Sequence, residues 1–97
     1  MSAYWIARAQ MLDAEGFKRY GGMVLQAAAT YPNQVLARAG KYEVLEGPDD
    51  FNRHVLLRFP SMQAARTYYH SREYQEAAAI RRLAAGRTEI VITEGAD

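Results

Sequence analysis

Cysteine is absent from this 97-residue sequence, and its absence excludes several kinds of chemistry at once. Disulfide bonds, thiolate metal sites and thiol nucleophiles are all ruled out, and with them a secreted scaffold held together by disulfides. No stretch approaches the roughly 18 apolar residues that a membrane-spanning helix needs. Residues 1–5 also lack the basic and apolar regions of a secretory signal. We therefore expect a cytoplasmic protein.

Net charge is also scarce, because twelve basic residues face eleven acidic ones and leave a formal charge of +1. Such a balance gives no broad electrostatic field for nucleic acid or an anionic membrane, so we expect neither as a partner. The two histidines lack the spacing of metal ligands, and no glycine-rich phosphate loop is present. The sequence thus predicts no metal site and no cofactor.

The hydrophobic pattern that is present predicts one α+β domain over residues 1–97, since a chain of this length has room for a single core. We assign it the order β-α-β-β-α-β, a ferredoxin-like fold in which a four-stranded antiparallel sheet carries its helices on one face. Strand-like runs cover residues 3–11, 34–39, 41–46, 53–59 and 88–93. Helical spacing covers residues 13–31, after a cap at Asp13, and then two segments that begin after Ser61 and Ser71.

Right-handed crossovers place both helical segments on one face of such a sheet, so the other face is left open. The strands nevertheless carry apolar residues on both sides. In the first strand Trp5 lies on the opposite side from Ile6, and in the strand 53–59 Leu56 lies on the opposite side from Leu57. A solvated face is normally polar, and a broad apolar face indicates a partner. We therefore expect a homodimer that forms through the open sheet face, because a second copy is the simplest partner.

Five short motifs stand out along the chain: YWIAR at 4–8, RAG at 38–40, VLEG at 44–47, FPSMxAA at 59–65 and YYxSxxY at 68–74. Together they resemble a widespread bacterial family of uncharacterised domains of about a hundred residues, within the dimeric α+β barrel superfamily. The resemblance implies the ferredoxin-like fold and dimerisation better than it implies chemistry, because that superfamily includes monooxygenases, isomerases and haem-binding proteins. One departure is Ala39, where the family often has a glycine before Gly40.

His54 and Tyr69 are the candidate catalytic residues. Histidine changes charge near neutral pH, and a tyrosine hydroxyl can donate or accept a proton in a site that shifts its pKa. His54 lies on the predicted strand 53–59, where it could act as acid or base in a cavity between the sheet and the helices. The alternative is that His54 is a packed strand residue, which is the usual state of a lone histidine.

Arg38 is the first candidate ligand-binding residue. Simple alternation puts it on the same strand face as Leu36, and a guanidinium in such surroundings needs a carboxylate partner or an anionic ligand. An ion pair with Glu43 or Glu46 would satisfy it internally. A bound anion would satisfy it equally well, and the sequence leaves both alternatives open.

Three tyrosines, Tyr4, Tyr20 and Tyr74, could line a pocket for a small hydrophobic molecule and offer it hydroxyl groups. They could equally fill the core, as aromatic residues at helical spacing usually do. The basic pair Arg81 and Arg82 lies near the end of the last helical segment, where it complements the helix dipole without any ligand.

The sequence therefore leads to two hypotheses for function. In the first, a homodimer binds a small hydrophobic or anionic molecule between sheet and helices, or transforms it by proton transfer or cofactor-free oxygenation. The enzymatic form of this hypothesis is an analogy to the superfamily. In the second, the protein is a binding or structural module with a filled core. A cavity reached by Arg38, His54 and a tyrosine hydroxyl favours the first, and a filled core with Arg38 paired to a glutamate favours the second.

Overall fold

Seven elements build the fold, and the computed structural model describes all residues from Met1 to Asp97. They are β1 (Ala3–Met11), α1 (Ala14–Ala27), β2 (Gln34–Arg38), β3 (Arg53–Phe59), α2 (Met62–His70), α3 (Arg72–Ala84) and β4 (Ala85–Glu94). The strands form one sheet in the order β2-β3-β1-β4, and every neighbouring pair is antiparallel. This is the predicted ferredoxin-like topology, with the second helical segment divided into α2 and α3.

Side-chain caps start all three helices, as the sequence predicted. Asp13 accepts a hydrogen bond from the backbone N–H of Glu15, and the hydroxyl groups of Ser61 and Ser71 accept from the third residue after them. Each cap satisfies an N–H group that has no partner within the helix. Helix α1 ends at Ala27, four residues earlier than the pattern predicted, because the chain turns ahead of Pro32. None of the helices has the length and apolar character needed to cross a bilayer.

The three helices cover one face of the sheet with an aromatic core. Trp5 of β1 is only 3% exposed and lies 5.3 to 5.9 Å, between ring centroids, from four other aromatic rings. Those rings belong to Phe59, Tyr68, Tyr69 and Tyr74. Tilted and edge-on ring pairs of this kind stabilise a core beyond the area they bury. The helix-covered face is therefore closed by residues of this chain alone.

The opposite face of the sheet has no helix over it. An apolar row crosses the middle of all four strands, because Ala37 pairs with Leu56, Leu56 with Ile6, and Ile6 with Val91. Ile6 is 48% exposed and Val91 is 57% exposed. Polar rows run on either side of this apolar row. The predicted open face is thus present, although its apolar part is a strip rather than the whole surface.

A bulge in β2 changes the face on which Arg38 lies. The pairing with β3 advances by two residues in β2, from Val35 to Ala37, while β3 advances by one. One extra residue reverses the alternation of every side chain beyond it. Arg38 therefore lies opposite Val55 on the helix-covered side, whereas simple alternation had placed it with Leu36.

The predicted strand at 41–46 does not form, and this prediction was wrong. Ala39 has a φ of 56°, which turns the chain away from the sheet directly after β2. The segment then runs without regular structure as far as β3, and the ring of Tyr42 lies 4.5 Å from that of His54 on the open face. Alternation in this segment does not lead to a strand, since no neighbouring strand pairs with its backbone. Four strands remain, as the overall topology requires.

Candidate functional site

A narrow cavity of about 90 Å³ opens between α1 and the helix-covered face of the sheet, and we call it the α1 cavity. Most of its wall is apolar, which is typical of pockets for small molecules. Trp5, Ala7, Val55, Leu57 and Ile90 form its floor on the sheet. Helical and other residues complete the wall, namely Phe17, Tyr20, Gly21, Val24, Leu25, Ala28, Tyr68 and Tyr74, with Arg8, Ala9, Asn33, Val35, Arg38, Arg53 and Thr88.

Two arginines at this cavity lack a carboxylate partner. Arg38 forms no ion pair, so the predicted internal pairs with Glu43 or Glu46 are absent. Its Nη2 atom instead lies over α1, 3.1 Å from the position that a Cβ on Gly21 would take. The guanidinium of Arg53 lies 5.5 Å from the centre of the Phe17 ring. Both cations are therefore free to meet an anion.

Two tyrosine hydroxyls and a buried arginine form a polar network beside the cavity. The Oη atoms of Tyr20 and Tyr74 are 3.0 Å apart, and Nη1 of Arg81 donates to Oη of Tyr74 over 2.5 Å. Burial, reinforced by the Tyr20 hydroxyl, raises the pKa of Tyr74 far above its ordinary value, and the Arg81 charge offsets only part of this rise. Tyr74 thus stays protonated at neutral pH and serves as a hydrogen-bonding group.

Tyr68 lines the same cavity without a partner for its hydroxyl. The side chain is 1% exposed, and its Oη atom is buried with no hydrogen bond. Burial is the main cause that raises the pKa of Tyr68, with a smaller contribution from Tyr20. A buried hydroxyl without a partner costs free energy. Tyr68 is therefore a second donor that a ligand could satisfy.

The structure brings together three of the six predicted site residues. Arg38, Tyr20 and Tyr74 all line the α1 cavity, although they come from three different elements. His54 and Tyr4 do not, because β3 and β1 direct them to the open face, where they pair in register with Arg8 and Arg58. The prediction that His54 lies in the cavity is corrected by this register.

Tyr69 lies in a different place from the other predicted site residues. It lines a groove of about 380 Å³ between α2, α3 and β4, which we call the β4 groove. The ring of Tyr69 packs against Trp5, which lines both openings, but Tyr69 does not line the α1 cavity. The β4 groove is lined by Trp5, Arg66, Tyr69, His70, Arg81, Arg82, Thr88, Ile90 and Ile92.

Sequence reasoning missed three residues of the site, Arg53, Tyr68 and Arg81. Arg81 was explained by the helix dipole alone, but it is only 6% exposed. A signal was available, because Arg81 follows Tyr74, Ala77 and Ala78 at helical spacing and so shares their buried face. Arg53 is the first residue of β3 and lies two residues before Val55, so the two side chains share a strand face. This is a weaker signal.

The cavity wall limits the chemistry that can occur there. It contains no histidine, aspartate or glutamate. Elsewhere in the chain, no three side chains of the metal-ligating types His, Asp and Glu come close enough to hold one metal ion. The α1 cavity therefore offers positive charge and hydroxyl donors to a ligand, and it holds no side chain that is a good base at neutral pH.

Several solved structures have the same fold. A protein of unknown function from Rhodopseudomonas palustris superposes with a TM-score of 0.81 at 16% identity, over 99% of this chain and 83% of that chain. A dimeric ferredoxin-like protein of unknown function from Jannaschia sp. CCS1 has a TM-score of 0.77 at 12% identity, over 98% and 100% of the two chains. At such identities, the likeness establishes the ferredoxin-like fold alone.

An enzyme also shares this fold. SnoaB, a cofactor-independent oxygenase from Streptomyces nogalater, has a TM-score of 0.66 at 14% identity, over 99% of this chain and 94% of that chain. No curated protein matches the sequence. The sequence pattern of one family, described as domain of unknown function (DUF1330), matches residues 2–96.

Proposed function

The chain belongs to the DUF1330 family, and from its own residues we propose that it binds a small molecule with an apolar body and one anionic end in the α1 cavity. The observation that carries this proposal is Arg38, an unpaired guanidinium at an apolar cavity. The alternative, a structural module, requires a filled core in which Arg38 is paired to a glutamate. Arg38 instead lines a cavity and has no carboxylate partner.

The anionic end of the ligand is assigned to the arginine side of the cavity. Arg38 and Arg53 lie on neighbouring strands, and neither has a carboxylate within ion-pair distance. Guanidinium groups bind carboxylates through paired, charge-assisted hydrogen bonds. Gly21 supports this assignment, because a side chain there would meet Nη2 of Arg38.

The apolar body of the ligand is assigned to the aromatic floor. Trp5, Val55 and Ile90 offer it a dry surface, and the hydroxyl groups of Tyr20 and Tyr74 lie at its side. A cavity of about 90 Å³ limits the enclosed part of the ligand to about one ring. Small aromatic carboxylates have the right size and charge.

We propose binding rather than catalysis for this site. A proton-transfer enzyme needs a base near the reacting atoms, and the wall of the α1 cavity holds no imidazole or carboxylate. The predicted catalytic residues His54 and Tyr69 lie outside it, on the open face and in the β4 groove. Cofactor-free oxygenation, the activity named for SnoaB, stays an analogy at the level of the fold.

We also propose that the functional unit is a homodimer through the open sheet face. The apolar row through Ile6 supports this, as does the description of the Jannaschia structure as dimeric. Homodimer interfaces commonly bury about 2,000 Å² or more. The cytoplasmic location, and the expectation that neither nucleic acid nor membrane is a partner, stay predictions from the sequence.

The direct test compares benzoate with benzyl alcohol, which has a similar ring but no charge. Thermal unfolding is followed for the wild-type protein and for Arg38→Gln. We expect benzoate, at about 100 times its Kd, to stabilise the wild type by about 2.7 kcal/mol and raise Tm by several degrees. Benzyl alcohol should stabilise it less, because it leaves both arginines unpaired.

The variant separates ligand binding from a general salt effect. Arg38→Gln should lose most of the preference for benzoate and keep the same response to benzyl alcohol. Arg19→Gln, at an exposed position on α1 outside the cavity, serves as the matched control and should behave as the wild type. Equal shifts in Tm with benzoate and benzyl alcohol in the wild type would contradict the proposed contact between Arg38 and an anion.

A further inference from the structure

We propose that the β4 groove is a second, separate site, which binds the phosphate group of a small molecule. Its arginines are Arg66 of α2 and Arg81 and Arg82 of α3, and His70 of α2 also lines it. This inference does not rest on the function proposed for the α1 cavity, because no arginine lines both openings.

The groove collects positive charge without a compensating carboxylate. Arg66, Arg81 and Arg82 take part in none of the ion pairs of the chain. No aspartate or glutamate lines the groove. Helix α3 does hold an ion pair, between Arg72 and Glu76, but it lies outside the groove. Three guanidinium groups therefore converge on one concave surface of a protein whose net charge is only +1.

Arg81 is the decisive residue because it is 94% buried and poorly satisfied. Its only hydrogen bond runs from Nη1 to the Tyr74 hydroxyl, and its Nε atom is buried with no acceptor. The rings of Tyr20 and Tyr74, with centroids 5.7 and 5.9 Å from its guanidinium carbon, offset part of the cost of burying the charge. A buried cation normally has an anionic partner, and this chain supplies none.

The number and type of donors indicate a phosphate group. Arginine presents paired N–H donors that match phosphate oxygens, and several cations are needed to neutralise a dianion. Arg66 and Arg82 are exposed at the rim, where they can close on an anion that Arg81 holds from below. The groove, at about 380 Å³, also has room for a small organic group beside Tyr69 and Ile92.

Isothermal titration with inorganic phosphate, at constant ionic strength set by sodium chloride, tests this site. The comparison is between the wild-type protein and the double variant Arg66→Gln/Arg82→Gln, which changes only exposed side chains. We expect saturable binding in the wild type at phosphate concentrations up to about 10 mM, and at least a tenfold larger Kd in the double variant.

Two control variants define the site. Arg72→Gln removes an arginine from the same helix but outside the groove, and Arg38→Gln removes one from the α1 cavity. Both should bind phosphate within about twofold of the wild type, a change well below the 1.4 kcal/mol of a tenfold effect. No saturable heat in the wild type, or an equal Kd in the double variant, would overturn the proposal. Loss of benzoate binding in Arg38→Gln with phosphate binding kept distinguishes the two sites.

Discussion

The two faces of the sheet are built from the same strands but differ in how much of their apolar surface the chain itself buries. On the helix-covered face, Trp5 is surrounded by other aromatic rings and is 3% exposed. On the open face, its chain neighbour Ile6 is 48% exposed and lies in an apolar row that nothing in the chain covers. Adjacent residues of one strand thus lie on opposite faces, one in a buried core and the other on an exposed apolar surface.

This difference underlies the separate roles that we propose for the two faces. The covered face is packed by residues of the chain itself and keeps two openings, the α1 cavity with its unpaired arginine and the β4 groove. The open face keeps exposed apolar area, as Ile6 and Val91 show, and such area indicates protein contact. We therefore expect substitutions on one face to disturb ligand binding and substitutions on the other to disturb self-association.

The largest effect is expected on the open face from Ile6→Glu. If a second copy covers the apolar row, the carboxylate is buried without a partner, which costs about 3 kcal/mol or more and weakens dimerisation at least a hundredfold. Sedimentation equilibrium measures the change. Leu83→Glu, at an 87% exposed position on α3, should leave the dimer intact. A wild-type protein that stays monomeric at every concentration would contradict the prediction.

On the covered face, two tyrosine substitutions should have opposite outcomes. Tyr74→Phe removes the acceptor of the buried Arg81 guanidinium, so the free energy of unfolding should fall by about 1 to 3 kcal/mol. Tyr68→Phe removes a buried hydroxyl that has no partner, so stability should be unchanged or higher. Urea unfolding of the two variants gives both values. Equal destabilisation by both substitutions would contradict the expectation that the hydrogen bond from Arg81 to Tyr74 stabilises the fold.

Alkaline pH should also act on the covered face. Burial raises the pKa of Tyr68 above its ordinary value, whereas the unfolded chain loses this proton near pH 10. The folded state then binds more protons than the unfolded state, so stability is complete below about pH 10 and falls as pH rises beyond it. We expect a loss of about 1 kcal/mol per buried tyrosine between pH 9 and 11.

Urea unfolding at pH 9 and pH 11 measures this loss. Tyr68→Phe has one buried phenol fewer, so its loss between the two pH values should be smaller than that of the wild type. An identical decline in both proteins would assign alkaline unfolding to other groups.

The smallest effects are expected at two adjacent glycines of α1. Nothing lies within 4 Å of a Cβ on Gly22, so Gly22→Ala should raise stability by about 0.5 to 1 kcal/mol through helix propensity alone. A Cβ on Gly21 would lie 3.1 Å from Nη2 of Arg38. Gly21→Ala should therefore give a smaller gain and weaken benzoate binding severalfold, as calorimetry can show. Equal effects of the two substitutions on binding would contradict the placement of Arg38.

Much of the fold could be predicted because local chemistry controls it. The caps Asp13, Ser61 and Ser71 start the helices, and the alternation around Trp5 gives β1 its two faces. The segment 41–46 could not be read in this way, because its alternating residues meet loop contacts such as that between Tyr42 and His54 rather than a strand partner.

The site was harder to predict because single residues changed face or depth. The bulge in β2 moved Arg38 to the covered side, and no periodicity in five residues reveals such a shift. His54 follows simple alternation and therefore stays on the open face. Arg81 was explained by the helix dipole alone, although its spacing from Tyr74 matched the buried face.

The measurement that tests the central claim most directly is a fluorescence titration of Trp5, the only tryptophan and a residue of the cavity floor. Added benzoate should give a saturable change in its emission. The change should disappear in Arg38→Gln. Since Trp5 also borders the β4 groove, Arg82→Gln serves as the control for that groove, and the change should persist in it. A flat titration in the wild type, or a response that is the same in Arg38→Gln, would contradict the assignment of the α1 cavity as an anion-selective ligand site.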